Sequence, residues 1–309
     1  MNDCIPLIGQ QMRKLVQRWF TAEPLVRYAE LFIEDKLQES TKFGQLTIIH
    51  YRMFGGTEEV VYQAAAAVEL FILASDILDD LQDQDAPAKV WMQVPQPAAI
   101  HVASALLTLS QQAMLECAMD SETRIALAEM MNGQILRAAN GQMIDIMNEI
   151  TDEQSYFDMV KQKSAALLLF ACMTGVMLAG QSWHSTVAEY ATEVGIAAQI
   201  QNDLRDLLRW DDKSDFLKRK RTLLTLYLIE GEAEEDRWIN DYFQGKLSVD
   251  DVALNRERFR EACERTGAIL YGSVMSRMHY NRFEELLGSI QEASPWKSTF
   301  LQILNQETA

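Results

Sequence analysis

The stretch SDILDDLQDQD, residues 75–85, sets Asp76, Asp79, Asp80, Asp83 and Asp85 directly after the apolar run VVYQAAAAVELFILA. At helical spacing, Asp76, Asp79, Asp80 and Asp83 fall on one side, while Ile77, Leu78 and Leu81 point elsewhere. Acids at a helix C-terminus oppose the helix dipole. At ~6 Å and an effective dielectric of ~20, each like-charged pair costs on the order of 3 kcal/mol before screening. A bound cation would relieve that repulsion. By itself the pattern is short and reads first as a solvated helix end. A second acidic helix end changes the balance. In VGIAAQIQNDLRDLLR, residues 194–209, an apolar run again leads into Asn202, Asp203 and Asp206, with Asp211 and Asp212 following. Two such ends suit a facing pair of oxygen-ligand walls. Mg2+ binds in that way, through one or two carboxylates, waters and substrate phosphate. No His/Cys ligand set is present, so zinc does not fit.

A phosphate held beside such a metal also needs cationic side chains. Lys163, Lys213, Lys218, Arg219, Lys220 and Arg221 are the candidates, because KSDFLKRKRTLL comes directly after the second acid cluster. The competing reading of that run is a solvated basic turn. His50, His101, His184 and His279 share no ligand spacing and read as structural or surface residues. The methionines on helical faces read as core packing.

The elements that must position these groups are helices. None of the six prolines (6, 24, 87, 95, 97 and 295) lies between residues 98 and 294, and apolar periodicity is sustained there. Strand and hairpin signals are poor. The spacing predicts helices over 8–20, 22–39, 41–54, 57–82, 97–118, 121–147, 153–180, 184–209, 218–231, 234–244, 248–266, 267–288 and 296–306. Thr57, followed by Glu-Glu-Val, is predicted as the N-cap of the fourth. The Pro-rich segment APAKVWMQVPQP, 86–97, is a loop just after the first acid cluster, a position where loops often carry function. The expectation is a single all-α domain over residues 1–309.

The chain's 309 residues are 48% hydrophobic, enough for a sizeable core, and its formal net charge is −17. That charge argues against a non-specific nucleic-acid surface and against docking on anionic lipid. Cys4, Cys117, Cys172 and Cys263 form no CxxC pair, and Cys117 and Cys172 sit in apolar runs, which suits a reduced, cytoplasmic setting. The N-terminal stretch has no long apolar signal-peptide core. The nearest thing to a membrane span, SAALLLFACMTGVMLAG at 164–180, contains Ser, Thr and Gly and is read as a buried helix. Stable membrane insertion is therefore not expected.

With both clusters placed, the chain resembles the trans-isoprenyl diphosphate synthase superfamily over most of residues 40–230. ASDILDDLQD is similar to the first aspartate-rich motif. NGQMIDI, 140–146, is similar to the GQxxD segment and points to Gln142 and Asp145. KQKSAALL, 161–168, resembles the Lys-Thr segment, here Lys163 with Ser164. AQIQNDLRD, 198–206, resembles FQxxDDxxD, and SDFLKRKRTLLTL, 214–226, resembles DLxxGKxTLP with Lys220 and Thr222. The resemblance implies an all-α bundle of the isoprenoid synthase type, its central active-site cavity capped by the acid motifs. It implies Mg2+ bound by Asp79, Asp80 and Asp83 with Asn202, Asp203 and Asp206 opposite. Asp79, Asp80, Asp83 and Asp203 would be the catalytic acids. Lys163, Lys220, Gln199 and Lys213 would hold the diphosphate of an allylic prenyl donor, and the protein would be a homodimer. Metal ions would then act as Lewis acids and template while lysines stabilise the leaving group.

The departures are as informative. Chain elongators of this superfamily hold a second diphosphate, that of isopentenyl diphosphate, with a GGKxxRP segment and an Arg pair after the first motif. Here the first region reads ESTKFGQLTIIHY, with Lys42 alone, and the second reads QDAPAKVW, with Lys89 alone. The donor site resembles its relatives and the acceptor site does not. That pattern resembles the ComQ-type branch, whose members prenylate a tryptophan of a pheromone precursor peptide in quorum sensing. Indole is electron-rich and its π face stabilises an approaching cation. Three alternatives stand beside it: a chain-elongating synthase with an unusual basic site, a class I terpene cyclase, and a non-catalytic subunit of a prenyl synthase. A cyclase's NDxxSxxxE motif is not met, since Asp206 and Trp210 occupy its Ser and Glu places. A non-catalytic subunit tends to lose its acid motifs, and both are kept here. Ala74 and Ser75, before the first motif, are small, with Phe71 a turn further back, which permits a deep prenyl pocket.

Overall fold

A computed structural model describes residues 4–84, 86–117, 120–211, 213–231 and 233–305. Asp85 and Asp212, named above with the acid clusters, lie outside the described residues. Among the described residues the regular structure is entirely helical: α1 (Cys4–Trp19), α2 (Glu23–Glu39), α3 (Lys42–Met53), α4 (Val60–Asp83), α5 (Gln96–Leu115), α6 (Ser121–Met147), α7 (Glu153–Lys163), α8 (Ala165–Leu178), α9 (Ser185–Leu208), α10 (Leu223–Ile229), α11 (Arg237–Phe243), α12 (Val249–Ala253), α13 (Arg256–Thr266), α14 (Ala268–Ser289) and α15 (Lys297–Asn305). Short 3₁₀ turns occupy 90–92, 234–236 and 291–293.

The chain divides into two compact units. The first comprises residues 1–136, 167–191 and 285–309. Its centre is α4, which is buried continuously from Ala64 to Ala74 and packs most extensively on α5, then on α3 and α1. By length and composition α4 and α5 could each cross a membrane, but 72% of the apolar α4 window is buried within the protein, as expected of a core helix. Local signals set the helix starts. Pro24 and Pro97 sit in the first turns of α2 and α5, where the missing N–H has no intrahelical partner to lose.

The second unit comprises residues 137–166 and 192–284. Its core gathers aromatic rings around Phe216, which is fully buried. The Phe259 ring centroid lies 4.2 Å away, Tyr242 5.4 Å, Trp238 5.8 Å and Trp210 6.0 Å. Burying Phe216 fastens the turn that carries the basic segment. Capping boxes start α7 (Asp152 with Ser155), α10 (Thr222 with Thr225) and α12 (Ser248 with Asp251).

The structure corrects the expected boundaries at four places. Thr57 does not cap α4. A turn through Gly55, at φ 88°, delays the helix to Val60, and the N-cap Glu59 makes no side-chain cap bond. The expected helix 153–180 is interrupted at Ser164, whose hydroxyl is committed to another helix. The expected helix 218–231 begins only at Leu223, because Arg219 takes the left-handed conformation, φ 55°. The expected helix 248–266 is two helices, separated at Leu254 and Asn255.

Candidate active site

The first acid set lies at the end of α4, in the first unit. Gln84 closes the helix in the left-handed region at φ 55°, its N–H returning to the Asp80 carbonyl. Asp76, Asp79, Asp80 and Asp83 are all half-buried. Asp76 accepts from Lys36 Nζ at 2.8 Å, a lysine 7% exposed. Asp80 Oδ2 accepts from the indole N–H of Trp91 at 2.8 Å. Burial pushes the Asp80 carboxyl up to about 6, against the Trp91 hydrogen bond, and the charges of Asp76 and Asp79 add to the rise.

The second set is in the second unit, around a pocket lined by Asp145, Tyr156, Met159, Lys163, Gln199, Asp203, Lys220 and Thr222. Helices α6 and α7 meet closely enough that a Cβ on Gly141 would lie 2.3 Å from the Lys163 backbone nitrogen. Only glycine permits that approach, and it brings Asp145 of α6 to Lys163 of α7. Asp145 Oδ2 accepts from Lys163 Nζ at 2.5 Å and pairs with Lys220 Nζ at 3.2 Å. Burial alone would raise the Asp145 carboxyl, but the two lysines overcome it and hold the group below its ordinary range. Lys220 is aimed by a clamp at the end of α6. Asn148 donates to the Arg219 carbonyl at 2.9 Å and accepts from the Arg221 N–H at 2.8 Å. Both Asn148 (φ 53°) and Arg219 are left-handed, a strained choice for arginine that the clamp and the Phe216 core hold in place.

Asp203 is 4% exposed and held at both oxygens. Tyr156 donates to Oδ2 at 2.6 Å and Gln199 Nε2 donates to Oδ1 at 2.8 Å. Ser164 in turn donates to Gln199 Oε1 at 2.6 Å. Burial nevertheless pushes the Asp203 carboxyl up to about 6. Burial also raises Asp206, against Arg209, Arg205, Lys220 and Lys213. Asn202 is exposed and bonded to Arg205.

Of the residues named from sequence, the structure gathers Asp145, Lys163, Gln199, Asp203, Lys220 and Thr222 at one pocket. Lys213 does not line it and acts on Asp206 by charge. Two residues that the sequence reading passed over belong here. Tyr156 is a buried donor to Asp203. Asp215, 8% exposed, is pushed up to about 7 by burial, with Asp203, Asp206 and Asp145 adding to the rise and Lys220 opposing it. Asp215 was visible as the aspartate that opens the DLxxGKxTLP-like segment. Tyr156 carried no signal of its own.

The family assignment follows from one match: the polyprenyl synthetase family aligns with residues 43–256. The chain belongs to the polyprenyl synthetase family. It is 30% identical over 275 residues to tryptophan prenyltransferase ComQ of Bacillus subtilis strain 168, covering 87% of this chain and 88% of that protein. It is 29% identical over 207 residues to a geranylgeranyl diphosphate synthase of Sulfolobus acidocaldarius, covering 60% of this chain and 62% of that one. Among solved structures, a polyprenyl synthetase from Streptomyces coelicolor superposes with a TM-score of 0.80 at 21% identity, covering 99% of this chain and 97% of that one. Heptaprenyl diphosphate synthase from Staphylococcus aureus also gives 0.80, at 18% identity, covering 99% and 98%. The fold is the all-α isoprenoid synthase fold, and this polyprenyl synthetase family member is a prenyl-transferring enzyme.

Members of such a family work with Mg2+, and the donor groups fit it. Among the described residues no three His, Cys, Asp or Glu side chains form a ready-made metal cage. Mg2+ does not require one, since it keeps waters and takes one or two carboxylates plus phosphate. The groups on offer are carboxylate oxygens, and burial leaves Asp80, Asp203 and Asp215 short of compensating positive charge.

Proposed function

We propose that this chain ionises an allylic prenyl diphosphate with the help of Mg2+ and transfers the prenyl group to a tryptophan of a precursor peptide, a modification that serves quorum sensing. Asp79, Asp80 and Asp83 on α4, and Asn202, Asp203 and Asp206 on α9, are the proposed metal-binding groups. Asp79, Asp80, Asp83 and Asp203 are the proposed catalytic acids. Mg2+ supplies charge neutralisation and Lewis acidity at the departing diphosphate. Lys163 and Lys220 exchange their contacts with Asp145 for the donor's diphosphate oxygens, where they stabilise the charge that grows as the C–O bond breaks. Gln199 and Lys213 complete the proposed diphosphate set. The electron pair of the broken bond leaves on the diphosphate, the indole ring supplies the pair for the new bond to the prenyl carbon, and the positive charge this leaves on the ring is discharged by loss of a proton to solvent. Gln199 and Tyr156 meanwhile hold the Asp203 carboxylate in one orientation.

The observation that carries the acceptor reading concerns Lys89. Of the basic segment that elongators use after the first motif, Lys89 alone remains, and it is committed to carboxylates. It pairs with Glu39 and, at 3.6 Å, with Asp35, both on α2. A second diphosphate would have to compete with two acids for that one cation, and each lost charge-assisted contact is worth ~1.5–3 kcal/mol. A neutral indole needs no such cation. The likeness to ComQ proteins points the same way. The likeness to the geranylgeranyl diphosphate synthase of Sulfolobus acidocaldarius keeps elongation as the second reading.

The family match runs through segments of both compact units, which supports reading residues 1–309 as one domain. All four cysteines are free and buried, which suits a reducing cytoplasm. Helix α6 exposes Ile125, Leu136, Met143 and Met147, an apolar set that suits a homodimer. The deciding assay supplies allylic diphosphate and Mg2+ with either isopentenyl diphosphate or a Trp-containing precursor peptide, and weighs the products. Prenyl mass on the peptide, lost on Trp→Ala in that peptide, is the expected result. Longer prenyl diphosphates beside an unmodified peptide would transfer the assignment to an elongating synthase.

A further inference from the structure

The loop after the first acid set is built as a strut. Trp91 is 1% exposed. Its ring meets Phe32 of α2 edge-on, centroids 5.9 Å apart at 77°. Lys89 Nζ lies 4.8 Å from the same ring's centroid, and the Lys89 pairs with Glu39 and Asp35 tie the loop to α2 a second time. A backbone bond of 2.9 Å from the Met92 N–H to the Lys89 carbonyl closes the turn between them. The one polar atom of this packed ring, Nε1, is aimed at Asp80 Oδ2, 2.8 Å away.

We propose that Trp91 is a positioning residue that holds the Asp80 carboxylate in the orientation needed to bind a divalent cation. This rests on the proposed role of the first acid set in binding Mg2+. A carboxylate's terminal torsion is broad and two-fold, so an aspartate at a helix end can turn freely. An indole N–H donates and cannot accept. Fixed by Phe32 and Lys89, it engages Oδ2, so that Oδ1 would be the oxygen offered to a cation. Outer partners that orient a metal-binding side chain typically account for 10–100-fold in metal affinity. The simpler alternative is that the buried indole merely satisfies its N–H on the nearest acceptor. The two differ in what Trp91→Phe does. It removes the N–H and keeps a ring in the Phe32 contact.

The test follows thermal unfolding of the full chain as Mg2+ is titrated against a fixed concentration of inorganic pyrophosphate. The Mg2+ concentration giving half-maximal stabilisation should rise about tenfold in Trp91→Phe. A merely structural indole would lower the metal-free midpoint temperature and leave the Mg2+ requirement where it was, and that result overturns the proposal. A wild-type protein that Mg2+ and pyrophosphate do not stabilise would instead overturn the metal reading, and this inference with it. A second measurement leaves residue 91 intact. In protein labelled with 15N at its six tryptophans, Asp80→Asn should shift one indole N–H signal, and Mg2+ with pyrophosphate should shift the same signal in the wild type. If no indole signal answers to both, the proposal is wrong.

Discussion

Replacing Asp203 by asparagine should make the metal-free protein more stable at neutral pH while abolishing turnover. The Asp203 carboxyl has a folded pKa of about 6, raised chiefly by burial, against an unfolded value of about 3.9. A raised acid destabilises the folded state once it is ionised in both states. The cost is absent below the unfolded value, grows between pH 4 and 6, and is complete above about pH 6. Two units at about 1.4 kcal/mol each give about 3 kcal/mol. Asparagine keeps the shape and can still accept from Tyr156, but its amide must also be desolvated and Gln199 must turn to accept from it. About 1–2 kcal/mol of the cost should therefore be recovered. For a chain of this size that is a rise in midpoint temperature of about 1.5–3 °C. The assay is thermal unfolding in chelator-treated buffer at pH 7.5 and pH 4.5, with wild type and Asp203→Asn side by side. A gain at pH 7.5 that vanishes at pH 4.5 is expected. A loss of stability at pH 7.5, or an equal gain at both pH values, would refute the reasoning.

Lys163→Ala and Lys220→Ala should each lower the rate of donor ionisation by about 10²–10³-fold and weaken donor binding, read by single-turnover kinetics with the allylic diphosphate. Gly141→Ala should separate α6 from α7, lowering stability by about 1–3 kcal/mol in chemical denaturation and activity along with it, because Asp145 and Lys163 then lose register. Asp80→Ala should abolish turnover while circular dichroism still reports a helical fold. Near-normal activity in that variant would remove the first acid set from the mechanism.

The local patterns in this chain were readable and the tertiary ones were not. Both acid clusters follow apolar helical runs, and the lysines that meet at Asp145 belong to segments that resemble motifs of the superfamily. Sequence periodicity failed where distant residues dictate the backbone. It extends a helix through residues 218–222, but Asn148 and the aromatic core around Phe216 force Arg219 into a left-handed turn there. It likewise passes over Ser164, because a one-residue break hardly disturbs a 3.6-residue repeat. Trp91 and Tyr156 look like any buried aromatic in a list of residues. Only their N–H and O–H directions, each toward an aspartate, separate them from packing. The Thr57 cap failed for a more local reason, since Gly55 turns the chain before the cap position is reached.

Asp145 gives the donor pocket a built-in competitor. Its carboxylate already holds both lysines proposed to grip the diphosphate, at 2.5 and 3.2 Å. An incoming anion must therefore displace a ligand that is never diluted away. A small oxyanion such as acetate or inorganic phosphate carries less charge and has a shorter reach than a diphosphate, so it gains little by the exchange. A diphosphate brings more negative charge and several oxygens, so it can satisfy both lysines at once. Inorganic phosphate and acetate should consequently be poor inhibitors, and pyrophosphate a good one, over the same concentration range. The pocket would then sort its ligands by charge and reach, giving up some affinity for every anion in order to admit the one with two phosphates.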